Sequence, residues 1–196
     1  MTSLKEQPRV GRQTLAPLPG CSLTDLTDLS RVGFRGAHSA EYLRSRGFAL
    51  PDAPNRAVTQ ADGSLVARLS LCEYLLLGSP EDQGQRLADE EARWELDHQA
   101  NYLLPRQDSH ACVLLSGAVI AHVMAKLCGV DLGFPAFQPG AVAQTSVARV
   151  NAIVIHTGSV EAPALHILWD RASKEYFVGA LLDALGEFGG GTLLSA

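Results

Sequence analysis

The sequence lacks the charge pattern of a nucleic-acid-binding protein. Its 16 Lys and Arg residues are outnumbered by 21 Asp and Glu residues, which gives a formal net charge of −5. Only 6% of the residues are aromatic, and no basic patch interleaved with aromatic side chains is present. Because phosphate contacts need clustered positive charge, nucleic acid is not expected among the partners of this chain.

The sequence also has no apolar run long enough to cross a membrane. Its longest apolar stretch, residues 111–125, includes Ser116, Gly117 and His122 and is shorter than the roughly 20 residues that span a bilayer. The basic N-terminal residues are followed by prolines rather than by the apolar segment of a signal peptide. We therefore expect no membrane contact.

Cysteine is scarce and unpatterned. Cys21, Cys72, Cys112 and Cys128 lie in apolar surroundings without Cys-x-x-Cys spacing, which is typical of reduced thiols in a cytoplasmic protein. Cys112 is two residues from His110 on a predicted strand, but its Ala-Cys-Val-Leu-Leu context favours a small core residue over a nucleophile.

The usual signatures of catalysis and cofactor binding are missing. The sequence contains no Gly-x-Ser-x-Gly elbow and no Gly-x-Gly-x-x-Gly fingerprint, and the glycines at 189–191 are not followed by Lys-Ser or Lys-Thr. The six histidines have neither the spacing of a helical zinc pair nor a neighbouring cysteine pair. We therefore assign no catalytic, cofactor-binding or metal-binding residue to this chain.

The sequence does contain two similar halves. Gly36-Ala37 recurs as Gly117-Ala118, and the Val-Ala-Arg of 66–68 recurs at 147–149 with the same spacing. Each half has the pattern of a strand, a Gly-Ala turn, a helix, a Pro/Gly-rich connection and two further strands. Arg68 and Arg149 would then occupy equivalent strand positions.

This pattern predicts an α+β fold of duplicated βαββ-type halves, with antiparallel sheets covered on one face by helices. We expect one domain at 23–196, with halves at about 23–103 and 104–188, and an extended Pro-containing arm at 1–22. The predicted strands are 32–35, 65–69, 73–77, 111–115, 142–149, 151–156 and 165–169. The predicted helices are 37–46, one capped at Ser79 and largely solvated, 119–127, and 176–188.

Four motifs between residues 103 and 150 resemble a known family. They are an Asp-Ser pair at 108–109, a Ser-Gly turn at 116–117, Cys-Gly-Val-Asp-Leu at 128–132 and Pro-Gly-Ala-Val-Ala-Gln-Thr at 139–145. In combination and order they resemble the gamma subunit of heterotetrameric sarcosine oxidase, over about 23–188. The resemblance implies a fold related to the folate-binding module of aminomethyltransferase.

The resemblance also implies a non-catalytic role in a bacterial flavoenzyme. The assembled enzyme would demethylate sarcosine to glycine, reduce oxygen to peroxide, and transfer the one-carbon unit to tetrahydrofolate or release it as formaldehyde. FAD, FMN, NAD, tetrahydrofolate and zinc would be held by the alpha, beta and delta subunits. Two alternatives remain: the corresponding subunit of an N-methylglutamate dehydrogenase or related secondary-amine oxidase, and a stand-alone folate-binding one-carbon protein. A duplicated α+β regulatory module is a third, based on fold analogy alone.

One segment is a candidate subunit interface. Small residues from Gly140 onward allow a close backbone approach, and Gln144 and Thr145 place polar groups at the start of a strand. We predict a docking surface formed by Asp131, Phe137, Gly140, Gln144, Thr145 and Arg149. The alternative is that this segment only builds a tight turn within the chain.

Overall fold

The fold was obtained as a computed structural model that describes residues 21–191 and 193–195. Residues 1–20 of the predicted N-terminal arm lie outside the described residues, and its last two residues, Cys21 and Ser22, belong to the first strand. The described strands are β1 (Cys21–Asp25), β2 (Arg31–Arg35), β3 (Arg56–Thr59), β4 (Leu65–Arg68), β5 (Glu73–Leu77), β6 (Tyr102–Pro105), β7 (His110–Gly117), β8 (Val142–Val147), β9 (Val150–His156), β10 (Ala164–Asp170) and β11 (Leu193–Ser195). The α-helices are α1 (Ser39–Ser45), α2 (Gln85–Arg93), α3 (Ile120–Ala125) and α4 (Lys174–Gly186).

The strands form two sheets. One has six strands in the order β11-β1-β7-β10-β9-β8, and the other has five in the order β3-β4-β5-β2-β6. Neighbouring strands are antiparallel in every pair except β1 and β11. The predicted α+β class with antiparallel sheets is confirmed.

The two halves repeat one order of elements. β2-α1-β3-β4-β5-α2 in the first half corresponds to β7-α3-β8-β9-β10-α4 in the second, and the matching strands occupy matching sheet positions. Each half therefore has three strands after its first helix; all three were predicted in the second half, whereas β3 in the first half was not. The constant spacing does not persist along the halves, because Arg68 lies in β4 whereas Arg149 lies in the β8–β9 turn. Their predicted equivalence was wrong.

The sheets pack face to face, with helices on both outer surfaces. The inner layer contains apolar side chains of both sheets, including Leu65 and Ala67 of the smaller sheet and Val142 and Ile155 of the larger. Helices α3 and α4 cover the outer face of the six-stranded sheet, and α1 and α2 cover that of the five-stranded sheet. The result is a four-layer α/β/β/α arrangement, as a sheet that is apolar on both faces requires.

Helix α4 shows how apolar packing keeps the outer helices against the sheets. Its buried residues Phe177, Leu181, Ala184 and Leu185 fall on one helical face. The ring of Phe177 stacks on Trp169 of β10, with centroids 4.1 Å apart. Each large apolar side chain buried in this way contributes about 1.5–3 kcal/mol, so packing, rather than intrinsic helix propensity, holds the helix in place.

Helix α2 differs from its prediction in two respects. It begins at Gln85 with Gly84 as the N-cap, not at Ser79, because the chain first makes a turn in which the Asp82 carboxylate accepts from the Gly84 and Arg86 N–H groups. The helix is also less solvated than expected. Glu90 is 5% exposed and accepts from the Tyr42 hydroxyl at 2.6 Å and the Arg46 Nε at 2.8 Å, so this carboxylate joins α2 to α1.

Four strands, β1, β3, β6 and β11, have no counterpart among the predicted strands. No helix among the described residues has the length and apolar character needed to cross a membrane.

Candidate functional site

A broad cleft lies on the inner face of the six-stranded sheet. Its volume is about 420 Å³. It is lined by His110, Gln144, Thr145, Ser146, Asn151, Ala152, Ile153 and Leu168. These residues come from β7, β8, β9 and β10, so the cleft floor is a continuous stretch of sheet. Amide and hydroxyl groups dominate its polar part.

Gln144 joins the two sheets at this cleft. Its Nε2 donates to the Asn55 Oδ1 at 2.9 Å and to the Leu69 carbonyl at 2.7 Å. Because Asn55 and Leu69 flank strands of the smaller sheet, a single side-chain amide connects both layers. Loss of this amide would leave the Leu69 carbonyl without this partner.

His110 lies at the opposite side of the cleft. Its Nδ1 is 2.8 Å from the Ser109 hydroxyl. Burial lowers the pKa of His110, and the positive charges of Arg106 and Arg31 lower it further. The imidazole is therefore neutral at pH 7, and the cleft carries no charge from its lining residues.

A buried polar group lies deeper between the sheets. Arg31 is 2% exposed, and its Nη2 donates to the Thr27 carbonyl, whereas its Nε has no partner within the described part of the chain. Burial raises the pKa of the neighbouring Cys112 thiol to about 12, although the charge of Arg31 opposes this shift. Cys112 is 2% exposed, which confirms its prediction as a core residue rather than an accessible nucleophile.

His166 borders the same interior. Its Nδ1 is 2.9 Å from the Thr157 hydroxyl, and burial lowers its pKa to about 4. It shares with Arg31 and Cys112 a small cavity of about 10 Å³, which is about the space of one water molecule. This interior is therefore too small for a substrate.

The predicted docking residues fall into separate environments. Gln144 and Thr145 line the cleft. Phe137 is 6% exposed and stacks on His156 within the core, so its ring is not available for docking. Asp131 is exposed, and its Oδ1 accepts from the Gly133 N–H at 2.9 Å. Arg149 is exposed in the β8–β9 turn.

Gly140 connects the sheets through its backbone. Its carbonyl accepts from the Ala57 N–H at 2.8 Å, and its N–H donates to the His156 carbonyl at 2.8 Å. Its φ of 78° favours glycine, and a Cβ at this position would lie 3.1 Å from the Ala57 carbonyl oxygen. This geometry agrees with the tight-turn alternative for Gly140 itself.

Sequence reasoning missed several residues of this region. Asn151 and Ser146 belong to the cleft, Asn55 holds Gln144, and Arg31 is buried. Only Asn151 carries a clear sequence signal, since it is a polar residue on the strand face that it shares with Ile153 and Ile155. Arg31 has the pattern of an ordinary charged residue at a strand start.

The described residues offer little for catalysis or metal binding. Among residues 21–191 and 193–195, no group of three or more His, Cys, Asp or Glu side chains could hold a metal ion. The cleft presents neutral hydrogen-bonding groups, and the Ser109 hydroxyl that bonds the His110 imidazole is not among its lining residues. It is suited to recognising uncharged polar groups.

Comparison with known proteins identifies solved structures that have a similar fold. No protein-family model and no curated protein matches the sequence. The fold is similar to a chain of the heterotetrameric sarcosine oxidase from Corynebacterium sp. U-96, solved in complex with pyrrole 2-carboxylate. The TM-score is 0.68 at 22% identity, and the match covers 88% of this chain and 87% of that chain.

A second similar structure is the glycine cleavage system aminomethyltransferase T from Bartonella henselae. The TM-score is 0.63 at 14% identity, over 90% of this chain and 48% of that chain. This chain thus spans about half the length of that aminomethyltransferase. At such identities the likeness concerns the fold, and the chain therefore has a fold found both in a sarcosine oxidase chain and in an aminomethyltransferase.

Proposed function

We propose that this chain is a non-catalytic subunit of a flavoenzyme of the heterotetrameric sarcosine oxidase type, equivalent to its gamma subunit. The observation that carries this proposal is the match to an oxidase chain over most of both chains, 88% of one and 87% of the other. The four motifs between residues 103 and 150, which resemble those of the gamma subunit, are a second argument for it.

The chemistry of the site agrees with a supporting role. The Cys112 thiol has a pKa of about 12, so it is not ionised at neutral pH. The cleft contributes amides, hydroxyls and a neutral imidazole, groups that can bind and position an uncharged polar partner. In this proposal the chain stabilises the assembly, and the alpha, beta and delta subunits hold FAD, FMN, NAD, tetrahydrofolate and zinc.

The complex would oxidise the N-methyl group of sarcosine, form peroxide from oxygen, and pass the one-carbon unit to tetrahydrofolate or release it as formaldehyde. An equivalent subunit of an N-methylglutamate dehydrogenase or another secondary-amine oxidase would have the same fold and the same supporting role. The substrate test below separates these enzymes.

The test is co-expression of this chain with the proteins encoded beside it, followed by purification through a tag on this chain alone. We expect a yellow complex of four different subunits whose flavin absorbance is bleached anaerobically by sarcosine. Bleaching by N-methylglutamate but not by sarcosine would assign the complex to the related dehydrogenase. A colourless chain that purifies alone would overturn the proposal.

Folate binding by the chain alone is the second candidate, because the aminomethyltransferase fold covers 90% of this chain. Titration of the isolated chain with tetrahydrofolate, followed by calorimetry, separates the two functions. Saturable binding in the absence of other subunits would favour the folate-binding protein, and its absence together with a yellow complex would favour the oxidase subunit.

A further inference from the structure

Among residues 21–191 and 193–195, strand β8 has an unusually unprotected edge. The edge strands of the two sheets are β11, β8, β3 and β6. β11 has only three residues, β6 ends at Pro105, and β3 begins with the charged Arg56. β8 has six residues, Val-Ala-Gln-Thr-Ser-Val, with no proline and no charge. Exposed edges without these protective features are the ones that pair with another strand.

The backbone of β8 directs hydrogen-bonding groups away from the sheet at alternate residues. Val147 is paired with Val150 across a two-residue turn, so the N–H and C=O groups of Val147 and Thr145 point towards β9. Those of Gln144 and Ser146 then point outward. The same alternation explains why the Val142 N–H donates outside the sheet, to the Asn55 carbonyl at 3.0 Å.

This open edge, residues 143–146, is bounded at both ends by the chain itself. At one end Arg56 bridges Ala141. At the other end Cys128 bridges Val147, and the Ala148 N–H donates to the Leu127 carbonyl at 2.9 Å. The four residues between correspond to about 13 Å of strand. Only a short extended segment fits there.

The cleft lies directly beside this open edge, because Gln144, Thr145 and Ser146 belong to both. Its uncharged amides and hydroxyls match the amide groups of a polypeptide rather than an ionised ligand. The β4–β5 turn borders the cleft through the Gln144–Leu69 hydrogen bond. This turn presents Leu71, which is 76% exposed, and the Arg68 Nη2 donates to the Leu71 carbonyl at 2.9 Å. Leu71 is thus an apolar contact held in a defined position.

We infer that the open edge of β8 and the adjoining cleft receive a short, extended and uncharged segment of a partner polypeptide as an added strand. This inference rests on the proposed function for the partner, which would be another subunit of the oxidase. A second copy of this chain is the other occupant to be tested, and the concentration dependence of amide exchange distinguishes it below. Main-chain hydrogen bonds would supply affinity, and Leu71 would add an apolar contact.

The decisive variant is Ser146→Pro, with Ser146→Ala as its matched control. Proline removes the outward N–H of Ser146 without removing a donor from the β8–β9 ladder, whereas alanine removes the hydroxyl and keeps the N–H. With the full chain and its co-expressed partners, we expect Ser146→Pro to weaken assembly at least about tenfold more than Ser146→Ala, which removes only the hydroxyl that lines the cleft. Circular dichroism of each isolated variant checks that it is folded.

Amide hydrogen exchange in the wild-type chain provides a second measurement that needs no variant. We expect the Gln144 N–H to exchange at least about tenfold more slowly in the complex than in the isolated chain, with the Thr145 N–H protected in both. Normal assembly of folded Ser146→Pro, or a complex in which Gln144 exchanges as in the isolated chain, would overturn the docking site and leave the proposed function standing.

Two further outcomes are distinguishable. Protection of Gln144 that grows with the concentration of the isolated chain would identify a second copy as the occupant and overturn the choice of partner. Failure of the wild-type chain to form any complex with its neighbours would overturn both this inference and the proposed function.

Discussion

Relief of backbone strain in the β8–β9 turn should stabilise the protein. Both central residues of this turn have positive φ, 48° at Ala148 and 66° at Arg149. Two-residue hairpins of this geometry favour Asn-Gly, because L-residues with a Cβ are strained in the left-handed region. The change Arg149→Gly removes that strain at the second position.

The expected gain follows from two opposing contributions. A left-handed conformation costs a non-glycine residue about 1–2 kcal/mol. Glycine, in turn, loses about 0.5–1 kcal/mol more backbone entropy on folding. The free energy of unfolding should therefore rise by about 0.5–1 kcal/mol, and a chain of this size gains about 2–4 °C in Tm for each kcal/mol.

Thermal unfolding of the isolated chain, monitored by circular dichroism, measures this change. Arg149→Ala is the control, since it removes the same charged side chain but keeps a Cβ at positive φ, and we expect its Tm to stay at the wild-type value. A Tm of Arg149→Gly at or below that of Arg149→Ala would refute the reasoning. If Arg149 also contacts a partner as predicted, both variants will weaken assembly equally.

Two further predictions concern stability. Gly140→Ala should lower the free energy of unfolding, measured in urea, by about 1–2 kcal/mol, because the φ of Gly140 is 78° and the new Cβ would lie 3.1 Å from the Ala57 carbonyl oxygen. Gly129→Ala is the matched control, since no heavy atom lies within 4 Å of its new Cβ. Equal effects of the two changes would contradict the role of backbone conformation and close contact at Gly140. A second prediction concerns pH, because the pKa of His166 is lowered to about 4. The unfolded chain therefore binds more protons than the folded chain between about pH 6.5 and 4. The free energy of unfolding should fall as the pH decreases through this window, by up to about 1.4 kcal/mol per pH unit. His166→Gln should flatten this dependence, leaving the smaller contribution of His110, whose pKa is also lowered; an unchanged slope would show that His166 does not carry it.

Strands with a strong apolar pattern can be predicted from the sequence. The strand predicted at 73–77 has the bounds of β5, and β2 and β10 differ from their predictions by one or two residues. Their side chains are buried on both faces or nearly so, which leaves a continuous apolar run. The unpredicted strands lack that run, since β3 and β6 are edge strands with exposed ends and β11 has three residues.

The start of α2 shows how local signals mislead. Ser79, Pro80, Glu81 and Asp82 have the composition of a helix start, but Gln83 and Gly84 take positive φ before the helix begins. Close packing of this turn on Ser30, whose Cβ lies 2.9 Å from where a Gly84 side chain would begin, comes from a distant part of the chain. Local composition contains no information about that contact.

Periodicity and neighbours along the chain are sufficient to establish the α+β class, the repeated order of elements, the core position of Cys112 and the polar character of residues 144–146. They do not establish that the two sheets pack on each other, that Phe137 is buried, that Gln144 reaches Asn55 and Leu69, or that β8 keeps an open edge beside a cleft. Those features depend on contacts between residues far apart in the chain, whose partners are chosen by packing and by hydrogen-bond satisfaction across the whole molecule.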